Sequence, residues 1–405
     1  MPAPFSRDFR LLWFGQAASQ FGDRVHQLAM VWWVLDTTGS AAMTGALMVA
    51  TSLPMIVVGP FAGALADRMD RRRLMLACDW ARAILVTGMA ALAYFHLLPL
   101  PLLFFLAVLL SCIGAAFTPA GLAIVPEVVE QDALLKANSA LELTTQMAAI
   151  LGPALGGLLV AATGAPSAFL LNAATFTVSG VALMAMSRRS HVVPPQGESY
   201  WETLKGGART LSERPAIASL LGAFAVANLF LAPIPVLLPV FARDVFRAGA
   251  SGLGMLEGAL GVGMIAAALV LVKRGDVGRK IALIAGSFVL QGACLALMGL
   301  MPQFVGFLGG LFILGAALSA LNIVTLAAFQ RAVPVEQMGR FMGLLTAVVL
   351  GVMPASYALV GVLAARVPPS AIFTASGVML ALVGALLPLL PGVRGFETMS
   401  EAPAA

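Results

Sequence analysis

Charged residues are scarce in this chain. Lys, Arg, Asp and Glu make up 11% of its 405 residues, whereas 60% of the residues are apolar. Soluble domains carry about 25% charged and about 45–50% apolar residues. The composition therefore excludes a single water-soluble core. It also predicts that each charged residue lies at a membrane surface or has a specific role inside the membrane.

Cysteine and histidine are also rare, with three residues of each type. Cys78, Cys112 and Cys294 lie in separate apolar segments, so we interpret them as packing residues and not as a disulfide or metal set. The chain has neither a Gly-x-x-x-x-Gly-Lys-Ser/Thr loop nor a His-Glu-x-x-His motif. Its charges are scattered, whereas an enzyme needs catalytic groups at one depth. We expect no cofactor, no metal and no enzymatic activity.

Apolar segments long enough to cross a membrane follow one another along the chain. A hydrocarbon core about 30 Å thick requires roughly 17 to 25 such residues. Turn-forming groups such as Thr37-Thr38-Gly39-Ser40 and Pro368-Pro369 separate the segments. Twelve spans are predicted, at residues 9–35, 43–65, 74–95, 100–122, 136–161, 166–186, 216–240, 251–272, 281–300, 303–327, 341–365 and 370–390.

Basic residues are distributed unevenly over the loops. The segment before span 1 and the loops after spans 2, 4, 6, 8, 10 and 12, together with Arg10 and Lys136 at the adjoining span ends, hold 19 of the 24 Lys and Arg residues. The alternate loops hold three, Arg243, Arg247 and Arg366. By the positive-inside rule both termini are predicted to be cytoplasmic. The basic residues thus indicate topology and not a nucleic-acid partner.

The chain divides into two halves of six spans. The longest hydrophilic stretch, residues 188–214, lies between them, and Val129-Glu130-Gln131 before span 5 is repeated as Val335-Glu336-Gln337 before span 11. Parallel repeats of this kind are typical of secondary transporters. We predict an all-α membrane protein with an N-terminal six-helix bundle (1–187), a cytoplasmic linker (188–214), a C-terminal six-helix bundle (215–392) and a cytoplasmic tail (393–405).

Several motifs carry a family resemblance. The stretch 63–73 reads Gly-Ala-Leu-Ala-Asp-Arg-Met-Asp-Arg-Arg-Arg and resembles the loop 2–3 signature of the major facilitator superfamily, with Asp70 where the pattern has glycine. In span 5, Gly-Pro-Ala-Leu-Gly-Gly at 152–157 resembles part of the antiporter motif of drug/proton exporters, with Ala148 in place of an upstream glycine. Residues 9–16, Gly22-Asp23 and Pro126-Glu127 are similar to the branch of macrolide and enterobactin-type exporters.

The resemblance implies a major facilitator fold and proton-coupled export of hydrophobic or amphipathic compounds by rocking of two bundles. The alternative is a dedicated exporter of a siderophore, a lysophospholipid or another endogenous metabolite. The implied partners are a small-molecule substrate, protons and the lipid bilayer. We expect a monomer in the bacterial inner membrane.

Two groups of motif residues acquire expected roles. The loop 2–3 residues either latch the two halves on the cytoplasmic side or only set topology, and Gly63 among them should allow helices to approach closely. In span 5, proline bends the helix and glycines let another helix pack against it, as a proton-tight exporter requires. The first group is Gly63, Asp67, Arg68, Arg71 and Arg72, and the second is Gly152, Pro153, Gly156 and Gly157.

One face of span 1 is polar. Gln16, Gln20, Asp23 and Gln27 follow each other at intervals of four, three and four residues, and His26 lies beside them. A carboxylate inside the membrane costs at least about 2.5–3.5 kcal/mol, so it should face protein or a water-filled cavity. We predict that this stripe lines a cavity and that Asp23 carries the proton. The alternative is a permanent ion pair with an arginine that only fixes packing.

Other intramembrane residues are secondary candidates. Glu257 in span 8 and Glu142 in span 5 are alternative proton-coupling residues, whereas Asp79 and Arg82, three residues apart, are predicted to form an intrahelical pair. A cavity for bulky amphipathic compounds also needs soft or aromatic surface with a few polar groups. Its candidate lining residues are Gln16, Gln20, Asp23, His26, Gln27, Asn228, Asn322 and Tyr357, together with Met30, Trp33, Phe117 and Phe230.

Overall fold

A computed structural model describes residues 5–187, 215–274, 280–332, 335–391 and 393. The predicted linker at 188–214 and most of the predicted tail lie outside the described residues, as does the side chain of Asp67. Every regular element within the described ranges is helical. The α-helices are α1 (Arg7–Thr38), α2 (Ala41–Arg68), α3 (Arg71–Tyr94), α4 (Leu100–Val128), α5 (Leu134–Thr163), α6 (Ala165–Met184), α7 (Pro215–Leu231), α8 (Pro233–Val240), α9 (Gly249–Arg274), α10 (Lys280–Leu300), α11 (Phe304–Ala332), α12 (Val335–Ala364) and α13 (Pro369–Leu386).

Local capping signals set several of the helix ends. The Ser6 hydroxyl accepts a hydrogen bond from the Phe9 N–H and starts α1, which ends at Gly39 in the left-handed region with φ 63°. Asp70 starts α3 in the same way, because its carboxylate accepts the Arg73 N–H at 2.9 Å. The aspartate that departs from the family pattern therefore has a local role as the N-cap of α3.

Eleven helical segments in the described part of the chain are long and apolar enough to cross a membrane. One of them, Ile217–Val245, joins α7 and α8 with a π-helical turn at Phe241–Val245. Helix α1 is not among the eleven, although its 32 residues make it about 48 Å long. Its polar stripe lowers its hydropathy below that of the other helices. Large apolar side chains such as Phe61, Leu122 and Val272 are exposed around the bundles, as lipid-facing residues are.

The chain forms two compact units. The first comprises Met1–Gly197 and Ala248–Met255, and the second comprises Glu198–Arg247 and Leu256–Ala405. In the first unit α1 packs against α5 and α6, and α3 packs against α4 and α6. In the second unit α10 packs against α11 and, most extensively, against α13. A cluster of aromatic rings fills part of the second core, where Phe241 lies 4.7 Å from Phe307 and 4.8 Å from Phe373 between ring centroids.

Candidate functional site

The first unit encloses a cavity of about 290 Å³ among five of its helices. It combines ionisable groups with apolar surface. The lining residues are Asp23, His26, Gln27 and Met30 of α1, Thr51 and Met55 of α2, Arg82 of α3, Ala107, Leu110, Ser111 and Gly114 of α4, and Asn172 and Phe176 of α6. The structure thus brings part of the stripe predicted on span 1 together with side chains that are distant in sequence.

Asp23 lies midway along α1 and faces this cavity. Its side chain is 44% exposed, so water in the cavity can reach the carboxylate. The Asn172 side-chain amide donates a hydrogen bond to Asp23 Oδ1 at 3.3 Å. The carboxylate is therefore accessible to water and accepts one long hydrogen bond. This arrangement leaves room for a proton on the carboxylate.

Arg82 is held much more tightly than Asp23. Its Nη2 atom donates to Asp79 Oδ1 at 2.5 Å, so the pair expected from their spacing is present, and the Asp79 side chain is fully buried. The Arg82 Cζ atom lies 4.3 Å from the ring centroids of both Phe117 and Phe176, a cation–π arrangement with two rings. Its Nη1 atom is 3.9 Å from Asp23 Oδ2, too far for a hydrogen bond.

This geometry gives the three charged groups unequal roles. Asp79 and Arg82 neutralise each other in a buried, hydrogen-bonded pair, and Asp23 adds a second negative charge beside them. Proton binding at Asp23 would bring the group of three to zero net charge. Two further titratable or charged side chains lie close to Asp23 on α1, the exposed Arg24 and the buried His26.

His26 is a second ionisable group of the cavity. It is 5% exposed, and neither ring nitrogen has a hydrogen-bond partner among the described residues. Its ring lies 5.0 Å from that of Phe169. Gln27 joins it in the cavity lining, whereas Gln16 and Gln20 do not. Gln16 Nε2 and Gln20 Oε1 are buried and likewise lack a partner in the described part of the chain.

The glycine-proline segment of α5 packs directly against the centre of α1. A Cβ at Gly152 would lie 2.4 Å from Arg24 Cβ, and one at Gly156 would lie 3.1 Å from Val25 Cα. Gly157 meets another part of the same unit, where its Cβ would be 2.5 Å from the Ala250 carbonyl oxygen. The small residues therefore allow the α5 backbone to contact α1 beside Asp23. Pro153 lies within this buried segment.

The arginines of the loop 2–3 motif connect the start of α3 to the ends of two other helices. Arg71 forms an ion pair with Glu127 of α4. Arg72 donates to the carbonyl oxygens of Leu183 and Met184 at the end of α6, both at 2.7 Å. Helix C-termini leave carbonyl groups unsatisfied, and a cation there is favourable. Both arginines therefore stabilise the first unit in addition to any effect on topology.

Replacing Arg72 by alanine is expected to destabilise the protein by about 1.5–3 kcal/mol, because two hydrogen bonds from a charged donor are lost. The matched control is Arg73→Ala, because Arg73 is exposed and should change stability by less than about 0.5 kcal/mol. Thermal unfolding of the purified protein in detergent measures both. Equal melting temperatures for the two variants would mean that Arg72 acts only through topology.

The other loop 2–3 residues contribute less in this structure. The close helix approach expected at Gly63 is absent, because a Cβ there would meet no atom within 4 Å among the described residues. This part of α2 has an open face at Gly63, which removes the reason for a glycine. Arg68 is exposed at the end of α2.

Two adjoining cavities lie within the second unit, of about 390 Å³ and about 200 Å³. Asn228, Leu231 and Leu318 line both of them. Asn322 lines the larger cavity and Tyr357 the smaller one. The three polar residues predicted from the second half of the chain thus lie around one continuous group of cavities.

The alternative carboxylates are placed differently from Asp23. Glu142 is exposed on α5 and accepts a hydrogen bond from the Gln146 amide at 2.8 Å. Glu257 is partly buried on α9. Neither residue is among the described lining residues of the three cavities given above. Of the three candidate carboxylates, Asp23 is the one that lines one of these cavities.

Sequence reasoning missed several polar side chains of these cavities, among them Asn172 and Thr325. Asn172 is an amide within the apolar span 6, a signal that could have singled it out in the same way as Asn228. Thr325 is a hydroxyl residue of α11 that lines the larger cavity of the second unit. Threonine is too common in membrane helices for its sequence position to have indicated a site.

Comparison with known proteins shows which family the chain belongs to. The profile of the transmembrane secretion effectors matches residues 2–404. Macrolide efflux protein A of Streptococcus pyogenes is 26% identical over 397 residues, covering 96% of this chain and 97% of that protein. The multidrug efflux pump Tap of Mycolicibacterium fortuitum is 25% identical over 401 residues, covering 96% and 97%.

Solved structures share the fold. A bacterial homologue of the iron transporter ferroportin has a TM-score of 0.72 and 17% identity, covering 98% of this chain and 99% of that one. A peptide transporter of the POT type has a TM-score of 0.76 and 15% identity, covering 98% and 96%. The resemblance inferred from the motifs is confirmed. The chain is a multi-pass bacterial membrane transporter and belongs to the transmembrane secretion effector family of the major facilitator superfamily.

Proposed function

We propose that the protein is a proton-coupled exporter of hydrophobic or amphipathic compounds that works by alternating access. In this proposal α1 is the twelfth spanning segment, both termini are cytoplasmic, and two bundles at 1–187 and 215–392 rock about the linker 188–214. The relatives named for macrolide and multidrug efflux support export of drug-like compounds. The protein acts as a monomer.

The observation that carries the proposal is the arrangement around Asp23. A hydrated carboxylate lies 3.9 Å from an arginine that is already neutralised by a buried aspartate. Protonation of Asp23 removes the net charge of this group, and deprotonation restores it. Because an ion in a low-dielectric interior is costly, such a change of charge can shift the balance between two conformations.

The test begins with the substrate. Growth of an efflux-deficient bacterium with and without the gene, on a panel of macrolides, siderophores and lysophospholipids, identifies compounds that the protein exports. A labelled compound from this panel is then offered to proteoliposomes with an acidic lumen. We expect uphill accumulation above the level of protein-free vesicles, which corrects for trapping of weak bases, and its collapse on addition of nigericin.

Two outcomes would overturn the proposal. Accumulation that is equal with and without the protein would exclude transport of the tested compound. Accumulation that persists after nigericin would show a driving force other than protons. If the gene confers resistance to only one endogenous compound of the panel, the protein is a dedicated exporter of that compound and not a multidrug exporter.

A further inference from the structure

The larger cavity of the second unit differs in chemistry from that of the first. Its described lining residues come from α7, α10, α11 and α12, and none of them is charged. Three phenylalanine rings form part of its wall, those of Phe224, Phe288 and Phe329. The rings of Phe224 and Phe288 meet edge to face with centroids 5.3 Å apart. Apolar and aromatic walls of this kind bind ring systems.

Thr325 has an unsatisfied hydroxyl in this wall. Its side chain is 4% exposed, and Oγ1 has no hydrogen-bond partner within the described part of the chain. A helical threonine usually donates to the carbonyl of the preceding turn, as Thr374 does to Ser370 at 2.9 Å. A buried hydroxyl without a partner is costly, so a ligand that supplies one gains affinity.

Two amides complete the polar part of the cavity. Asn322 lies one turn before Thr325 on the same face of α11 and is exposed where it lines the cavity. Asn228 donates its amide N–H to the Phe224 carbonyl at 2.9 Å, which orients the side chain. These three residues offer hydrogen bonds without any formal charge.

We infer that this cavity binds the uncharged aromatic part of a transported compound, with Thr325 and Asn322 as its hydrogen-bonding residues. The inference rests on the proposed function and adds a substrate class to it. At about 390 Å³ the cavity is near the lower end of the range of small-molecule sites, which suits a fused ring system. A permanent cation is disfavoured, because none of the lining residues in the described part of the chain carries a carboxylate that would replace its lost hydration.

The experiment compares two labelled probes of similar aromatic character, uncharged phenylnaphthylamine and cationic ethidium. The full chain is held in nanodiscs, binding is read by scintillation proximity, and empty nanodiscs are subtracted. We expect saturable binding of phenylnaphthylamine that ethidium does not displace. Thr325→Val should weaken it by about three- to tenfold, the usual effect of one hydrogen bond. Thr374→Val, whose hydroxyl is satisfied within its own helix, should leave binding unchanged.

A second variant tests the exclusion of charge. Asn322→Asp places a carboxylate in the cavity and should weaken phenylnaphthylamine while creating ethidium binding. A merely structural role of Asn322 would not produce this reversal. Size-exclusion profiles verify that each variant is folded. Unchanged phenylnaphthylamine affinity in both folded variants, or equal competition by ethidium in the wild type, would overturn the inference.

Failure of this inference and failure of proton coupling are separable. Binding is measured at equilibrium without a proton gradient, so it does not depend on coupling. If Thr325→Val weakens binding while nigericin leaves transport intact, the result supports the binding site and contradicts proton coupling. If transport needs the proton gradient while both cavity variants bind phenylnaphthylamine normally, the result supports proton coupling and shows that the compound binds elsewhere.

Discussion

Asp23→Asn is expected to abolish uphill, proton-driven transport, reducing it to the level of protein-free vesicles. Asparagine has the shape of a protonated aspartate but cannot release a proton. The net charge of the group formed by Asp79, Arg82 and the substituted residue therefore stays at zero throughout the cycle. The conformational equilibrium then no longer responds to the proton gradient. Exchange of labelled for unlabelled substrate across the membrane should persist, because it needs no net proton movement.

Counterflow and uphill accumulation in the same proteoliposomes measure these two activities. Wild-type counterflow should vary with pH, and counterflow of the Asp23→Asn variant should not. The matched control is Glu142→Gln, since Glu142 is exposed, is not among the lining residues of that cavity and accepts a hydrogen bond from Gln146 of its own helix. That variant should keep uphill transport.

Several charged or titratable groups surround Asp23, and they define the contrary outcomes. Arg24 and His26 lie on α1, and Asp79 and Arg82 lie on α3. If pH dependence survives in Asp23→Asn and disappears in His26→Asn, histidine carries the proton instead. If coupling is intact in both variants, the cavity of the first unit has no part in it.

Gly292→Ala is expected to cause a large loss of stability. A Cβ at this position would lie 2.4 Å from the Ala381 backbone nitrogen and 2.5 Å from the Gly377 carbonyl oxygen. The contact is reciprocal, because a Cβ at Gly377 would lie 2.3 Å from the Ala296 nitrogen. Backbone atoms cannot rotate away as a side chain can, so α10 and α13 would have to separate. Overpacking of this kind costs about 1–3 kcal/mol.

The control is Gly286→Ala on the same helix, where a Cβ would meet no described atom within 4 Å. Alanine favours a helix interior over glycine by about 1 kcal/mol, so this variant should be equally or more stable than the wild type. Thermal unfolding followed with a thiol-reactive dye detects the exposure of buried cysteines, among them Cys294, which lies two residues from Gly292 on α10. Equal melting temperatures for the two variants would contradict the close helix contact.

The helices themselves could be predicted from the sequence. Each apolar run recurs as a helix within a few residues of its predicted bounds, because a chain in hydrocarbon must satisfy its backbone hydrogen bonds locally. Span 1 shows the limit of this reasoning. Asp23 and the glutamines that single it out as a cavity helix also lower its hydropathy, so α1 is absent from the eleven apolar segments of the structure.

The candidate site was predicted only in part. The spacing of Asp23 and Gln27 placed them on one face, and both line the cavity. The same spacing applied to Gln16 and Gln20, which lie outside its lining. Periodicity identifies a face of a helix, but it does not show how far along that face a cavity extends. At Gly63 no described atom lies within 4 Å of the position of a Cβ. A glycine indicates that close contact is possible without showing where a partner lies.

The sequence alone determined the helical class, the membrane environment and the family, and it predicted that Asp23 lines a cavity, since these follow from local composition, spacing and motifs. Only the tertiary structure decided that the Asp79–Arg82 pair lies beside Asp23 and that Asn172 holds the Asp23 carboxylate. It also separated a charged cavity in one unit from an uncharged, aromatic cavity in the other. Such relations depend on packing between helices that are distant in the chain, and packing leaves no regular interval in the sequence.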